Sequence, residues 1–501
     1  MNRYLSGILS CVFLLLAGCQ EPVDPVTQEV EAPQLVSADP ADGTTGIEGT
    51  QLKITFTFDQ NVKCPSSAAS DITVDNNAVI DKVNAYNKVL TIELSSLERG
   101  NTYRLVIPEG TVSGFRENQK PSAEIAYSFT MKEAPVDYEL DPVKTLVNPN
   151  ATREAKNVYE FLLEQSGKQT LTGVQSSHSH KNDFVDAVAQ HTGRHPALAG
   201  YDFLFLQFSP TPDNWSWVQN YNDISAPKEQ WAANGLVNYM WHWNVPNSKA
   251  DWDNGVNNYN FDGYAFYTDK TSFDINEALK EGTWQNDFIM KDIEEVAGYL
   301  KLLQDENIPV IWRPLHEAAG NYDLYGPNGA WFWWGKGGAE PCKALWRLLY
   351  DQLVNVHGLN NLIWVWTVDV TPGAEDQYLD WYPGDEYVDI VGFDVYENNT
   401  DAKNRQYDAL VNLTKGRKLV TVSECGNIPD PEKCMEAGNR WSWFMVWSSA
   451  DANGNIVMTP DGWKLNTIDY WKKVMDSPYT LSREEMPSLK ERLPVGPAMT
   501  L

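Results

Sequence analysis

Between residues 33 and 131 apolar and polar positions alternate in short runs, "QLKITFTF", "KVLTIEL", "TYRLVI" and "AEIAYSFTM", parted by turn-rich stretches such as "ADGTTG" and "LERGN". A period of two in Val, Ile, Phe and Tyr turns one face of each run toward a core, so this region is predicted to be a small antiparallel sandwich. Past residue 146 the pattern changes. Eight apolar runs recur: "QTLTGVQ" (169–175), "HPALAGYDF" (195–203), "GLVNYMWHW" (235–243), "IPVIWRPLHE" (308–317), "LIWVWTVD" (362–369), "VDIVGFDVY" (388–396), "KLVTVSECG" (418–426) and "WSWFMVWSS" (441–449). Amphipathic segments with apolar spacing near about 3.6 lie between several of them, notably "DFIMKDIEEVAGYLKLLQDEN" and "EPCKALWRLLYDQLVNVHG", as expected of helices packed outside a parallel sheet. The pattern predicts an α/β chain: a (β/α)8 TIM barrel preceded by an all-β sandwich.

Composition sharpens this division. All 20 tryptophans fall between Trp215 and Trp471, so the two regions are of different kinds. The first residues form a third class: Arg3, then "ILSCVFLLLAG", then "LAGC" ending at Cys19. A positive start, an apolar stretch too short for a membrane span and small residues before the expected cleavage point read as a secretory signal. "LAGC" followed by polar "QEPVDPVTQEVEAP" resembles a bacterial lipobox, which implies lipidation at Cys19 and export to the outer membrane, on its surface or its periplasmic face, with a flexible leash behind it. Cys64, Cys342, Cys425 and Cys434 show no metal-type spacing, and a Cys425–Cys434 bridge is possible but unforced. The net charge of −29 speaks against nucleic acid and anionic polymers, which need clustered Lys and Arg, and leaves a neutral polymer open.

Barrel chemistry sits at the C-terminal ends of the strands. Asp202, His242, His316, Glu317, Asp369, Asp394, Tyr396 and Glu424 all fall there. Glu317 closes the fourth run and Glu424 the seventh, so a closed barrel aims both into one mouth. Two facing glutamates are the equipment for glycosidic cleavage, one protonating the leaving oxygen and the other, ionised, attacking the anomeric carbon. Retention needs carboxyl groups about 5 to 5.5 Å apart, whereas inversion needs a wider gap that admits water.

"WRPLHE", "WFWWG" (331–335), "WHWNVP", "VGFDVY", "VSECG" and "FMVWSS", in this order and on the expected strands, resemble glycoside hydrolase family 26, over roughly residues 146–480. The resemblance implies a retaining endo-β-1,4-mannanase acting on mannan, galactomannan or glucomannan without a cofactor or metal. It implies Glu317 as acid/base, Glu424 as nucleophile, His316 orienting the acid/base and the sugar, and Tyr396 donating to Glu424. His242 and Trp447 would line the pocket of the sugar whose bond is broken, and Trp331 would stack under the sugar on the leaving side. Relatives that act on mixed-linkage β-glucan or β-1,3-xylan keep those substrates open, and a non-catalytic surface glycan-binding protein is the alternative of another class. The front region, with "VSADPADGTTGIEGTQLKITFTFDQNV" and "YRLVIPEGTV", resembles bacterial Ig-like domains, which usually act as spacers.

The chain departs from the family pattern where "AAGNYDLYGPNGA" separates the acid/base from "WFWWG", which suggests a reshaped cleft and leaves the position of Trp331 open. The long aromatic stretch "WDNGVNNYNFDGYAFYTDKTSF" is a candidate second cleft wall. Some of the tryptophan run must be packing, because successive residues cannot all face one cleft. Arg313, inside a strand, reads as a strut for barrel carboxylates. His178 and His180 lack an acidic or thiol partner at ligand spacing, so no metal is assigned to them. The expected organisation is a signal over 1–18, a linker over 19–33, the sandwich over 34–132, a linker over 133–145, the barrel over 146–480 and a tail over 481–501, in a monomer.

Overall fold

The computed structural model describes residues 30–47, 49–98, 100–116, 119–132, 138–176, 181–211, 220–255, 259–368, 378–447 and 466–492. Cys19, His178, His180 and Asp369 lie outside the described residues. The chain divides into two compact units, Met1–Val136 and Asp137–Leu501.

The first unit is a sandwich of two four-stranded sheets. One runs Leu35–Asp39, Leu52–Phe58, Val89–Ser95, Val79–Tyr86, and the other Thr44–Ile47, Ile125–Met131, Thr102–Ile107, Thr73–Val74. The alternation read from sequence is the packing itself: Ile54, Phe56, Phe58, Leu90, Ile92 and Leu94 from one sheet meet Tyr103, Leu105, Ile107, Tyr127, Phe129 and Met131 from the other. Among the described strands pairing is antiparallel with one exception. Thr44–Ile47 runs parallel to Ile125–Met131, which corrects the all-antiparallel expectation.

In the second unit eight parallel strands close into a barrel: Gly173–Gln175, Leu198–Asp202, Leu236–Met240, Val310–Arg313, Leu362–Val368, Ile390–Val395, Leu419–Cys425 and Phe444–Val446, with Val174 opposite Val446 at the seam. These are called here the first to eighth barrel strands. Each comes from one of the eight apolar runs. Nearly every strand residue is buried, since one face looks into the barrel and the other is covered by helices. Helix Trp284–Asp305 shows how that cover is built. Thr283 caps it by accepting from the Asn286 N–H, and Phe288, Ile289, Ile293, Val296, Ala297, Leu300 and Leu303 form its buried stripe. Most of the tryptophan is structural: Trp241, Trp243, Trp312, Trp333, Trp334, Trp346, Trp364, Trp441, Trp443 and Trp471 are among the largest fully buried side chains.

The segments flanking the barrel are more than linker and tail. Asp141 and Val143 donate backbone hydrogen bonds to the carbonyls of Gly416 and Arg417, and Leu140 is buried. A tail beginning at residue 481 is not what the structure shows. Thr480–Leu481 pairs in parallel with Thr170–Leu171, Leu481, Met486 and Leu489 are buried, and the Asn157 amide donates to the Leu489 carbonyl. Three apolar side chains in a short polar stretch carried too little periodicity to be read as part of a core. Cys64, Cys342, Cys425 and Cys434 are free thiols, so the Cys425–Cys434 bridge is absent. Among the described residues no helix is long and apolar enough to cross a membrane.

Candidate active site

The site is organised around Arg313, the last residue of the fourth strand, whose side chain is 1% exposed. Its Nη1 donates to Asp394 Oδ2 at 2.8 Å and its Nη2 to Glu424 Oε2 at 2.6 Å. Charge-assisted bonds in a water-poor interior hold both carboxylates in place. The Tyr396 hydroxyl donates to the other oxygen of Glu424. One carboxylate oxygen from each of Glu317, Asp394 and Glu424 lies within 4.8 Å of the others. A divalent cation could use such a trio, but here a guanidinium already bridges two of its members.

Two backbone irregularities produce this convergence. Asp394 pairs in register with Glu424 while Phe393 pairs with Val422, so the seventh strand carries one extra residue, Ser423. In a regular pleat Ser423 and Glu424 would face opposite sides of the sheet. Because of the bulge both turn to the same polar centre, Ser423 Oγ donating to Asp394 Oδ1 at 2.7 Å and Glu424 receiving Arg313. The second irregularity follows the fourth strand: Leu315 and Glu317 both have positive φ, 48° and 51°. Left-handed backbone at non-glycine residues is strained and persists only where surroundings enforce it. Here Leu315 is buried, the Trp334 Nε1–H donates to the His316 carbonyl at 3.0 Å and the Gly320 N–H to that of Glu317 at 2.9 Å.

Electrostatics separate the two glutamates. Burial, then Asp394 and Glu424, hold the Glu317 carboxyl well above the ordinary glutamate range. Glu424 is pushed up to about 7 by burial and Asp394, against Arg313 and Tyr396, which favour its charged form. Glu317 therefore keeps its proton more firmly, and Glu424 is the first to lose one. His316 is buried and held neutral by burial, by Arg313 and by His242, and its Nδ1 has no hydrogen-bond partner among the described residues. His242 is fixed by Asp202, which accepts from its ring Nδ1 at 2.6 Å and from its backbone N–H at 2.9 Å.

The ring cluster places the remaining predicted residues. His242 lies 4.6 Å from His316 and 5.7 Å from Trp447, centroid to centroid. The loop carrying Tyr396 is pinned by the buried Lys403 ammonium, which donates to Glu397 at 3.0 Å and to Asn399 Oδ1 at 2.6 Å. Trp331 follows the inserted stretch and is tied back to its start. Its N–H donates to the Gly320 carbonyl at 3.0 Å, so residues 321–330 leave and return at one point, and its half-buried ring packs where a Gly320 Cβ would sit. Phe332, not singled out from sequence, stands beside the histidines, 5.3 Å from His316 and 5.7 Å from His242. Asp394, Asp202 and Ser423 are the polar residues that sequence reasoning left unassigned; Asp394 sits at a strand end two residues before Tyr396, which is its only visible signal.

Comparison with known proteins bears on this constellation. A family model for glycosyl hydrolase family 26 matches residues 147–485, and one for a bacterial Ig-like domain matches residues 29–131. The chain belongs to glycosyl hydrolase family 26. A mannan endo-1,4-beta-mannosidase B from Piromyces sp is 32% identical over 443 residues, spanning 86% of this chain and 66% of its own. The chain spans between about half and two thirds of the length of the first curated relatives it matches. A family 26 domain of an endo-beta-mannanase/endo-beta-glucanase from Prevotella bryantii is 32% identical, with a TM-score of 0.59, covering 69% of this chain and 99% of that one. A beta-mannanase from a symbiotic protist of the termite Reticulitermes speratus, solved with a gluco-manno-oligosaccharide, is 31% identical, with a TM-score of 0.57, covering 70% and 100%.

The glycine that ends "WFWWG" is pressed against the turn that carries Glu317. A Cβ on Gly335 would meet the Ala318 carbonyl oxygen at 1.9 Å and its carbon at 3.0 Å, backbone that cannot yield without moving the turn at Glu317. Gly335→Ala is expected to destabilise the fold by about 2 kcal/mol, read as a lowered chemical-unfolding midpoint. An unchanged midpoint would show that the turn absorbs the methyl group.

Proposed function

We propose that this chain is a retaining endo-β-1,4-mannanase in which Glu317 is the acid/base and Glu424 the nucleophile. The observation that carries the reading is the closeness of the carboxylates: one oxygen of Glu317 lies within 4.8 Å of one oxygen of Glu424, which suits the close pair of a retaining enzyme better than the wide gap of an inverting one. Glu424 attacks the anomeric carbon while Glu317 gives its proton to the departing glycosidic oxygen, leaving a glycosyl ester on Glu424. Water then enters; Glu317, now ionised, takes its proton, and the ester bond breaks with the configuration restored. Arg313 and Tyr396 serve the first step by holding Glu424 charged and aimed. Neutral His316 and Asp202-bound His242 supply polar contacts beside the sugar, and Trp447 an apolar face.

The mannan specificity rests on the relatives, whose names state mannan endo-1,4-beta-mannosidase, together with a net charge of −29 that favours a neutral polymer. One chain supplies every group of the site, which suits a monomer. Export with a lipid on Cys19 would hold the enzyme at the outer membrane, the Ig-like unit acting as spacer, as the leader "LAGC" and the match to a bacterial Ig-like domain support.

Three measurements test this. Proton NMR of mannohexaose digestion is expected to show the β-anomer released first, with Glu424→Ala lowering kcat by at least about 1,000-fold; initial release of the α-anomer, full turnover by the variant, or activity confined to lichenan or β-1,3-xylan contradicts the assignment. Tyr396→Phe removes a donor from ionised Glu424 and so raises its pKa. The acid limb of kcat/KM should move to higher pH by about one unit, the scale of one lost hydrogen bond, while the alkaline limb, set by Glu317, stays. An unmoved acid limb counts against Glu424 as the group that must be ionised. For the anchor, Cys19→Ala should transfer the protein from the membrane to the soluble fraction, and unchanged fractionation argues for a plain signal peptide.

A further inference from the structure

Two loops on the mouth of the barrel are tied together at one point. Tyr267, from the long segment after the third strand, forms an antiparallel bridge with Phe332 of the segment after the fourth. The Thr268 N–H donates to the Trp331 carbonyl at 2.8 Å and the Trp333 N–H to the Phe266 carbonyl at 3.1 Å. Across this ribbon three near-parallel rings make a stair: Trp334 on Phe332 with centroids 4.5 Å apart at 26°, then Phe332 on Tyr267 at 5.8 Å and 25°. The two inner rings are buried, and Tyr267, the outermost, is 48% exposed. Phe332 and, at 4.4 Å between centroids, Phe266 pack against this ring, and about half of the residue stays accessible.

The stair stands on the Glu317 side of the site. Phe332 touches His316, the residue before Glu317, whereas the ring bonded to Glu424 is Tyr396 from the sixth strand. Burial, with the Glu317 and Asp269 carboxylates nearby, raises the pKa of the Tyr267 hydroxyl, so the group stays protonated and neutral.

We propose that Tyr267 is a specificity-determining residue, the platform for the sugar on the leaving side of the scissile bond. The inference rests on the assignment of Glu317 as acid/base made above. The acid/base delivers its proton to the oxygen that joins the two sugars, so a ring beside it faces the sugar that departs with that oxygen. An accessible aromatic ring in the cleft wall is what the C–H face of a pyranose recognises. Trp331, assigned this place by the family resemblance, has its ring edge packed against Gly320, and its Nε1 has no partner among the described residues; Tyr267 adds an accessible ring in the same wall. It comes from a segment with no counterpart in the quoted family motifs, and it is fixed there by pairing with the ribbon that closes the 321–330 excursion.

Kinetics on two substrates with different leaving groups test the proposal. Tyr267→Ala should lower kcat/KM on mannohexaose on the order of tenfold, the scale of one aromatic contact, and leave an aryl β-mannobioside, which has no leaving-side sugar, within about twofold. In the same variant the yield of transfer products to added mannobiose, relative to hydrolysis, should fall, because the acceptor occupies the vacated leaving-side site. Tyr267→Phe should retain both activities, since the ring and not the hydroxyl makes the contact. Equal loss on both substrates, or none on mannohexaose, overturns the platform while leaving the mannanase assignment intact. Failure of the unmodified enzyme to cleave the aryl mannobioside or mannohexaose would overturn that assignment first.

Discussion

The buried guanidinium of Arg313 is the constraint on which the remaining chemistry depends. It is 1% exposed and bonds to both Asp394 and Glu424. A cation in such a place costs desolvation energy that only well-aimed partners offset, and removing either partner would leave charge uncompensated, typically a loss of about 3 to 5 kcal/mol. The consequence for the third carboxylate follows from charge balance. With two carboxylates gathered on one guanidinium, a further negative charge on Glu317 would be unmatched in a dry pocket, so Glu317 holds its proton. One arginine thereby separates the two glutamates, favouring the charged form of Glu424 while Glu317 holds its proton.

Backbone devices, more than side-chain choice, bring these groups together. The bulge at Ser423 lets consecutive residues face the same centre, and the two left-handed residues around His316 turn Glu317 back over the mouth. Both are local departures from regular geometry, and both are held by neighbours distant in sequence: Trp334 on the His316 carbonyl, and Gly335 pressed against Ala318. The tryptophan-rich stretch after the inserted loop is thus mainly a brace for the turn at Glu317, with Phe332, Trp333 and Trp334 buried and Trp331 half-buried.

The main architecture was legible because its physics is periodic. A parallel strand covered on both faces must be apolar throughout, which made eight runs visible, and a half-exposed sandwich strand must alternate, which made the first unit visible. Glu317 and Glu424 were legible because barrel chemistry sits at strand ends and each closes a run. Asp394 was visible only as one of several polar residues at strand ends, with nothing local to give it a task; Arg313, 81 residues earlier, supplies its partner. The C-terminal residues to Leu489 escaped for a similar reason, three apolar side chains being too few to show a period. Their burial depends on the groove left by helix Arg153–Gln165 and the strand at Thr170, which no local reading contains.

Sequence alone determined which segments are strands and helices, the order in which they wind, and the two glutamates that face one mouth, because burial periodicity and turn chemistry act over a few residues. Tertiary structure alone decided the 4.8 Å convergence of three carboxylates, the return of the 321–330 excursion to Gly320, and the pairing of Tyr267 with Phe332. Each of these depends on a bulge, a left-handed turn or a cross-loop hydrogen bond whose energy arises only when remote parts of the chain have already packed.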